Sequence, residues 1–330
     1  MQLGKIPSKL QIQFYLFESN LVLIVLIKNR IMKLIQPAGF NDYELLDCGD
    51  YEKLERFGNF ILIRPESQAV WPRNEPYQLW LKQASAHFKR NILKPITQTS
   101  KSENEGWKKL RPMPDNWIIN CPLLNGSFKL KLSMTAFGHV GIFPEQADNW
   151  AYIYQCIKII KVEKPQVLNL FAYTGGASMA AAMAGAEVTH LDAVKQVVNR
   201  TKENAELNGL NNIRRIVDDA LKYLKREVKR QKIYQGIILD PPAYGRGPDG
   251  ERWVLSEGIN ELLKLCSEIL DKKNGFLVLN LYSLGFSSII TKNLADYYFN
   301  PKVTEFGEFY LQTKAGINLP TGTFARFKYF

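Results

Sequence analysis

Val167-Leu168-Asn169-Leu170-Phe171-Ala172-Tyr173-Thr174-Gly175-Gly176-Ala177-Ser178 decides the fold. It reads as a buried strand that stops in a glycine turn and opens directly into a helix. Downstream, apolar strand-like runs at 167–171, 187–191, 213–217, 236–240 and 275–281 alternate with helical runs at 177–184, 194–207, 220–231 and 258–270. That alternation implies a parallel sheet with right-handed crossovers. A closing pair near 304–311 and 324–330 has no helix between its members. It is expected as an antiparallel hairpin at the sheet edge.

Upstream the pattern changes. Residues 32–140 look β-rich, with strands at 60–64, 117–120 and 128–132, the last alternating apolar and basic residues. Leu124-Asn125-Gly126-Ser127 supplies a hairpin turn. Residues 77–89 read as one short helix and 97–105 as a polar loop. Phe143-Pro144-Glu145-Gln146 leads into a helix that places Trp150, Ile153, Tyr154, Ile157 and Ile160 on one face. The expected fold class is α/β: a Rossmann-like, doubly wound, seven-stranded sheet with an antiparallel C-terminal hairpin, plus a smaller β-rich N-terminal domain. Three segments follow: an extension at 1–31, a β-rich substrate-binding domain at 32–140 and the sheet domain at 141–330.

The 330 residues suffice for two domains of ordinary size, and the formal net charge of +11 suggests a polyanionic partner, of which nucleic acid is the commonest. Cys48, Cys121, Cys156 and Cys266 show no zinc spacing. They read as free buried thiols in a reducing cytosol, so a cytoplasmic location is expected. His87, His139 and His190 are scattered, and no metal is expected. The apolar run Leu21 to Ile27 is too short to span a bilayer, and Lys28-Asn29-Arg30 after it does not suit a signal peptide. Residues 1–31 read as an upstream extension from a start codon placed too early, with an interfacial anchor as the alternative.

The chemistry lies in loops at strand carboxyl ends, where open parallel sheets bind ligands. The 171–176 turn uses glycine to let the backbone approach a ligand, and helix amides just beyond it meet a carboxylate. It does not match G-x-G-x-x-G. Asp192 ends the second strand, where an acid accepts from ribose hydroxyls, although a helix cap near Val194 also explains it. Asp219 ends the third, placed for an adenine amino group or, equally, for a helix N-cap. Asp240-Pro241-Pro242-Ala243-Tyr244 ends the fourth. The prolines fix the backbone, Asp240 orients a nucleophile or takes its proton, and Tyr244 offers a face to a planar base. A glycine turn, an acid and an acid–proline corner describe a nucleotide-like cofactor beside a reaction centre, and the combination points to methyl transfer from S-adenosyl-L-methionine. Gly245 to Trp253 reads as a mobile loop whose two arginines close over a phosphate or lie solvated. Lys222, Lys225, Arg226, Lys229, Arg230 and Lys232 read as a solvated helix face, and Trp107-Lys108-Lys109-Leu110-Arg111 as a weak nucleic-acid signal.

At these residues the chain resembles the class I S-adenosylmethionine-dependent methyltransferases, and more narrowly the bacterial large-subunit ribosomal RNA methyltransferase group. The resemblance rests on His139-Val140-Gly141-Ile142-Phe143-Pro144-Glu145-Gln146, on Asn169 to Gly176 and on Asp240-Pro241-Pro242. It implies that Phe171, Ala172, Tyr173, Thr174, Gly175, Asp192 and Asp219 hold the cofactor, and that Asp240 to Tyr244 face the methyl group. The expected cofactor set also includes Ala193, Ala220, Asp240 and Gln146, and the expected catalytic set is Asp240, Pro241 and Tyr244. The resemblance implies a ribosomal RNA partner gripped in part by residues 32–140. Relatives that methylate carbon 5 of cytosine carry a cysteine after the following strand. Here that end reads Leu279-Asn280-Leu281-Tyr282-Ser283-Leu284-Gly285. Direct transfer to a nitrogen or an oxygen needs no such thiol, and a base nitrogen is the expected acceptor of the two. The competing readings are a methyltransferase for a protein or small molecule, a catalytically silent RNA-binding module and, last, a nicotinamide oxidoreductase.

Overall fold

The computed structural model describes residues 31–89, 106–282, 285–302 and 304–330, with the backbone alone of two short strands before them, β1 (Tyr15–Phe17) and β2 (Asn20–Val22). The other expectations for 1–30, the loop at 97–105, and residues 283 and 284 of the compared strand end lie outside the described residues. β3 (Lys33–Ile35) precedes β4 (Tyr43–Gly49), β5 (Glu52–Phe57), β6 (Phe60–Pro65), helix α1 (Tyr77–Gln83), β7 (Ala86–Lys89) and β8 (Gly106–Lys109). Strands β4 to β8 form one sheet in sequence order. The single helix expected over 77–89 is half helix, half strand. Ala84 turns extended at the helix end, and Ala86 and His87 pair with β6. A helix this short has little stability of its own to set against sheet pairing. β9 (Asn116–Leu123) and β10 (Gly126–Ser133) form the hairpin read from Asn125-Gly126, with Leu123 opposite Gly126.

The second half alternates as expected. A 3-10 turn at Pro144–Gln146 opens α2 (Ala147–Ile159), followed by β11 (Gln166–Leu170), α3 (Gly176–Met183), β12 (Glu187–Asp192), α4 (Lys195–Leu207) and β13 (Ile213–Val217). Then come α5 (Ala220–Lys229), β14 (Gly236–Leu239), β15 (Tyr244–Arg246), β16 (Arg252–Val254), α6 (Leu255–Ile269) and β17 (Phe276–Leu281). The chain closes with α7 (Ser288–Phe299), β18 (Glu305–Gln312) and β19 (Asn318–Lys328).

The large sheet runs β13-β12-β11-β14-β17-β19-β18-β3. Its first five strands are parallel, and β19 is antiparallel to both neighbours. Strands β14 and β17 are buried throughout, as a sheet covered on both faces requires. One apolar layer joins Trp117, Ile119, Phe128 and Leu130 of the β9–β10 hairpin to Trp150 and Ile153 of α2, and the other packs Leu224 of α5 and Leu262 of α6 under the opposite face. β13 carries exposed Arg214 and Arg215, which discourage pairing with another strand at the sheet edge.

Two further expectations need correction, and one helix has no counterpart among them. The sheet has eight strands, not seven, because β3 pairs parallel with β18 and takes the edge expected for the C-terminal hairpin. Gly307 permits this, since any Cβ there would lie 1.8 Å from the Lys33 carbonyl oxygen. Helix α7 was not read from the sequence. It starts on Ser287, whose hydroxyl accepts from the Ile290 amide at 3.4 Å. The stretch read as a mobile loop after Tyr244 is the β15–β16 hairpin, with Gly245 opposite Trp253. Among the described residues no helix is long and apolar enough to cross a membrane.

Candidate functional site

Strand order reverses between β11 and β14, and a cleft opens at their carboxyl ends. Leu170 pairs with Leu239, so Phe171 and Asp240 leave adjacent strands side by side. The cleft wall brings together Gln146, Phe171, Ala172, Tyr173, Thr174, Gly175 and Asp240, joined by Asn149, Trp150, Asn169 and Asn280.

The turn after β11 follows a left-handed path, with φ of 55° at Phe171, 50° at Tyr173 and 93° at Gly175. Each non-glycine residue held there costs on the order of 1 kcal/mol, so its surroundings must over-determine it. Asp192 Oδ2 accepts from the Tyr173 amide at 2.9 Å. The Thr201 hydroxyl donates to the Tyr173 carbonyl at 3.2 Å, and Asn204 Nδ2 to the Thr174 carbonyl at 2.9 Å. The Thr174 hydroxyl in turn donates to the Gly141 carbonyl at 2.7 Å. At Gly175 a Cβ would lie 2.8 Å from Thr201 Cγ2. Behind the turn, His190 lies between the Ser178 and Thr201 hydroxyls at 2.9 and 3.1 Å. Burial pushes its pKa down to about 3, so the ring is a neutral strut.

This framework leaves specific groups free for a ligand. Helix α3 starts at the left-handed Gly175 without a side-chain cap, and Gly176 and Ala177 line the cleft. First-turn amides have no acceptor within the helix and carry its positive end, which suits a carboxylate. Asp192 holds the Tyr173 amide on one oxygen and the Val194 amide on the other, at 2.9 Å each. Each oxygen keeps a lone pair for a hydroxyl. Burial raises its pKa above the usual range, with the backbone amides opposing the shift.

The cleft floor is an amide network. Gln146 Oε1 accepts from Asn149 and Asn280 at 2.9 Å each, and Asn149 Nδ2 also donates to Asn280 Oδ1 at 2.8 Å. Arg326 donates to Asn149 Oδ1 at 3.0 Å and pairs with Asp148 at 2.6 Å. These two bonds engage Gln146 Oε1 and fix the orientation of its carboxamide, whose Nε2 remains a donor.

At the other end stands Asp240, with no hydrogen bond to its carboxylate among the described residues. Desolvation pushes its pKa up to about 6. Buried Glu145 is pushed to about 7, first by desolvation, with the Asp240 charge adding to it and Lys53 opposing. The corner after Asp240 is rigid. Trp253 Nε1 donates to the Pro242 carbonyl at 2.7 Å, and the Leu255 amide to the Ala243 carbonyl at 3.0 Å. The Trp253 ring packs 5.0 Å from that of Phe171, tying the two loops together.

Asp192 and the remaining expected residues lie off the cleft wall. Pro241 is buried behind Asp240, and Tyr244, on β15, is 70% exposed. Ala193 follows Asp192 at the β12 end, while Ala220 is buried in the apolar layer under α5. Asp219 caps α5, its Oδ1 accepting from the Lys222 amide at 2.9 Å. The basic α5 face is largely neutralised: Lys222 pairs with Glu251, Lys225 with Glu261, Arg226 with Asp218 and Arg230 with Glu227. Arg252 is held by both Glu257 oxygens at 2.8 and 3.0 Å, while Arg246 of the same hairpin is exposed and has no ion pair among the described residues. All four cysteines are buried, and burial raises the thiol pKa of each, to about 11 at Cys48 and Cys156.

Sequence reasoning missed Asn149, Asn280, Thr201, Asn204 and Trp253. A signal existed for two of them. Asn149 interrupts the apolar face of α2, and Asn280 sits in the otherwise apolar Phe276-Leu277-Val278-Leu279-Asn280-Leu281. A polar side chain at a buried position needs a partner and marks a network.

Residues 150–288 match the family model for S-adenosylmethionine-dependent methyltransferases. The chain is 33% identical to a SAM-dependent methyltransferase from Agrobacterium tumefaciens of solved structure, covering 91% of this chain and 95% of that one with a TM-score of 0.80. It is 35% identical over 147 residues to ribosomal RNA large subunit methyltransferase K/L of Shewanella frigidimarina, 42% of this chain and 20% of that protein. To ribosomal RNA large subunit methyltransferase I of Escherichia coli it is 24% identical over 289 residues, 80% of this chain and 66% of that protein. The chain thus spans from a fifth to just under two thirds of these two curated relatives' length.

Proposed function

Since the chain belongs to the S-adenosylmethionine-dependent methyltransferases, we propose that it transfers a methyl group from S-adenosyl-L-methionine to a nitrogen of a ribosomal RNA base. The observation that carries this reading is a single cleft walled by both the 171–175 turn and the Asp240 carboxylate. In this reading the α3 amides hold the cofactor carboxylate and Asp192 the ribose hydroxyls, while the adenine edge meets the Ala220 amide and the Asp219 oxygen that does not cap α5. When bound, the sulfonium supplies a methyl group on a good leaving group. Asp240 accepts a hydrogen bond from the acceptor N–H, aims its lone pair and takes up the proton. Its raised pKa, about 6, keeps it ionised yet basic enough for that task at neutral pH. The Trp253-braced proline corner fixes where that carboxylate points, and exposed Tyr244 stacks on the base.

The choice of RNA rests on the +11 charge and on what the two named relatives act on. The choice of nitrogen over cytosine carbon 5 rests on the thiols, all buried, protonated and away from the cleft wall. We further propose that residues 32–140 grip the RNA, that residues 141–330 carry the transfer, and that the enzyme works in the cytoplasm. The test is incubation with labelled S-adenosylmethionine and RNA from cells lacking the protein, followed by nuclease digestion and mass spectrometry. An N-methylated base in the large-subunit RNA is expected. Label confined to protein, to small molecules or to 5-methylcytosine would overturn the proposal.

A further inference from the structure

Phe137 is 82% exposed, the most exposed large apolar side chain among the described residues. It is not on a loose tip. The Thr135 amide and hydroxyl donate to the His139 carbonyl at 3.0 and 2.7 Å, and the Gly138 amide returns to the Thr135 carbonyl at 3.2 Å. Two residues of the five-stranded sheet bolt this loop down. Trp107 Nε1 donates to the Thr135 carbonyl at 2.7 Å, and Arg64 Nη1 to the Gly138 carbonyl at 3.3 Å. Arg64 is itself buried and paired with Glu55 at 2.6 Å.

The loop stands on the rim of the cleft. Its last residue, His139, packs 5.5 Å from Phe143, which packs 5.4 Å from Tyr173, and both of those rings line the cleft. Two residues beyond His139, the Gly141 carbonyl is tied to the Thr174 hydroxyl of the cofactor turn. A chain that spends five hydrogen bonds to hold an apolar ring in water gains nothing for its own core. An aromatic face on a backbone fixed beside a cleft is what an unstacked base needs.

We propose that Phe137 is a substrate-contacting residue, on which the ring of an RNA nucleotide next to the acceptor stacks, holding the acceptor base in the cleft. This rests on the RNA reading above. The occupant is a base because a flat, exposed π-face on a hydrogen-bonded loop recognises planar rings, and because the net charge of +11 favours a phosphate-bearing chain over a neutral one.

The full-length protein and its F137A, F137L and F137W variants separate the possibilities. Expected for F137A and F137L is a rise of about five- to a hundredfold in KM for RNA, the range that loss of one base stack gives, with little change in kcat. F137W should restore KM. Affinity for S-adenosylmethionine by calorimetry and the melting temperature should stay at the wild-type level in all four. A second readout is quenching of a short RNA carrying 2-aminopurine beside the acceptor, expected with wild type and F137W and absent with F137A. Wild-type KM in F137L would reduce the contact to mere apolar burial and overturn stacking, as would unaltered KM or quenching in F137A. A wild-type enzyme that methylates no RNA removes the functional reading. In that case quenching still decides the base contact, and its absence with wild type overturns that too.

Discussion

Replacing Asp240 with asparagine should make the protein more stable and nearly inactive, and the gain in stability should depend on pH. Folding moves this carboxyl from an ordinary aspartate value of 3.8 to about 6, through desolvation. Below pH 3.8 it is protonated in both the folded and the unfolded chain and costs nothing. Between 3.8 and about 6 the unfolded chain ionises first, so the cost of folding the acid grows. Above about 6 the cost is complete and corresponds to at most about 3 kcal/mol. Asparagine keeps the shape without the charge. D240N should therefore exceed wild type by up to about 3 kcal/mol at pH 7.5, with the difference shrinking as pH falls towards 4. Glu145 sharpens the effect, because losing the Asp240 charge removes one cause of its own upward shift to about 7. Urea unfolding of both proteins at several pH values measures the increment. A methyl-transfer assay at saturating cofactor should show a loss of about a hundredfold or more in kcat, the usual scale for a missing general base. A pH-independent increment, or a D240N protein no more stable than wild type at pH 7.5, would refute the account of a desolvated, unpartnered carboxylate.

The other predictions concern the parts that position the cleft. G175A places a methyl group 2.8 Å from Thr201 Cγ2 at a left-handed residue, so affinity for S-adenosylmethionine should fall about tenfold or more by calorimetry. D192A leaves the Tyr173 and Val194 amides without their acceptor; a stability loss of about 1–3 kcal/mol in urea unfolding should accompany weaker cofactor binding. W253F keeps a ring against Phe171 but removes the donor to the Pro242 carbonyl. Turnover should drop roughly fivefold, about the worth of one hydrogen bond, while calorimetric cofactor affinity holds.

The amide floor and the braced turn show where sequence reading stops. Thr201 and Asn204 belong to a helix read only as a crossover, yet they fix the carbonyls of a turn some thirty residues earlier in the chain. Trp253, read as the end of a loop, clamps the proline corner from across a hairpin. None of these pairings has a local signature. Each exists because the sheet brings α4 and β16 over strands that precede them.

By itself the sequence determined the alternation of strands and helices, the glycine turn at 171–176 and the acid–proline corner at 240–242. These depend on periodicity and on the backbone limits of glycine and proline, which act over a few residues. The tertiary structure alone decided that Leu170 pairs with Leu239, which puts the turn and Asp240 in one cleft. It also decided that Asp219 caps a helix, that β3 occupies the sheet edge, and that Asp240 is desolvated while Tyr244 stands in water. Strand register, burial and charge environment are sums over residues distant in the chain, and only the folded packing brings those residues together.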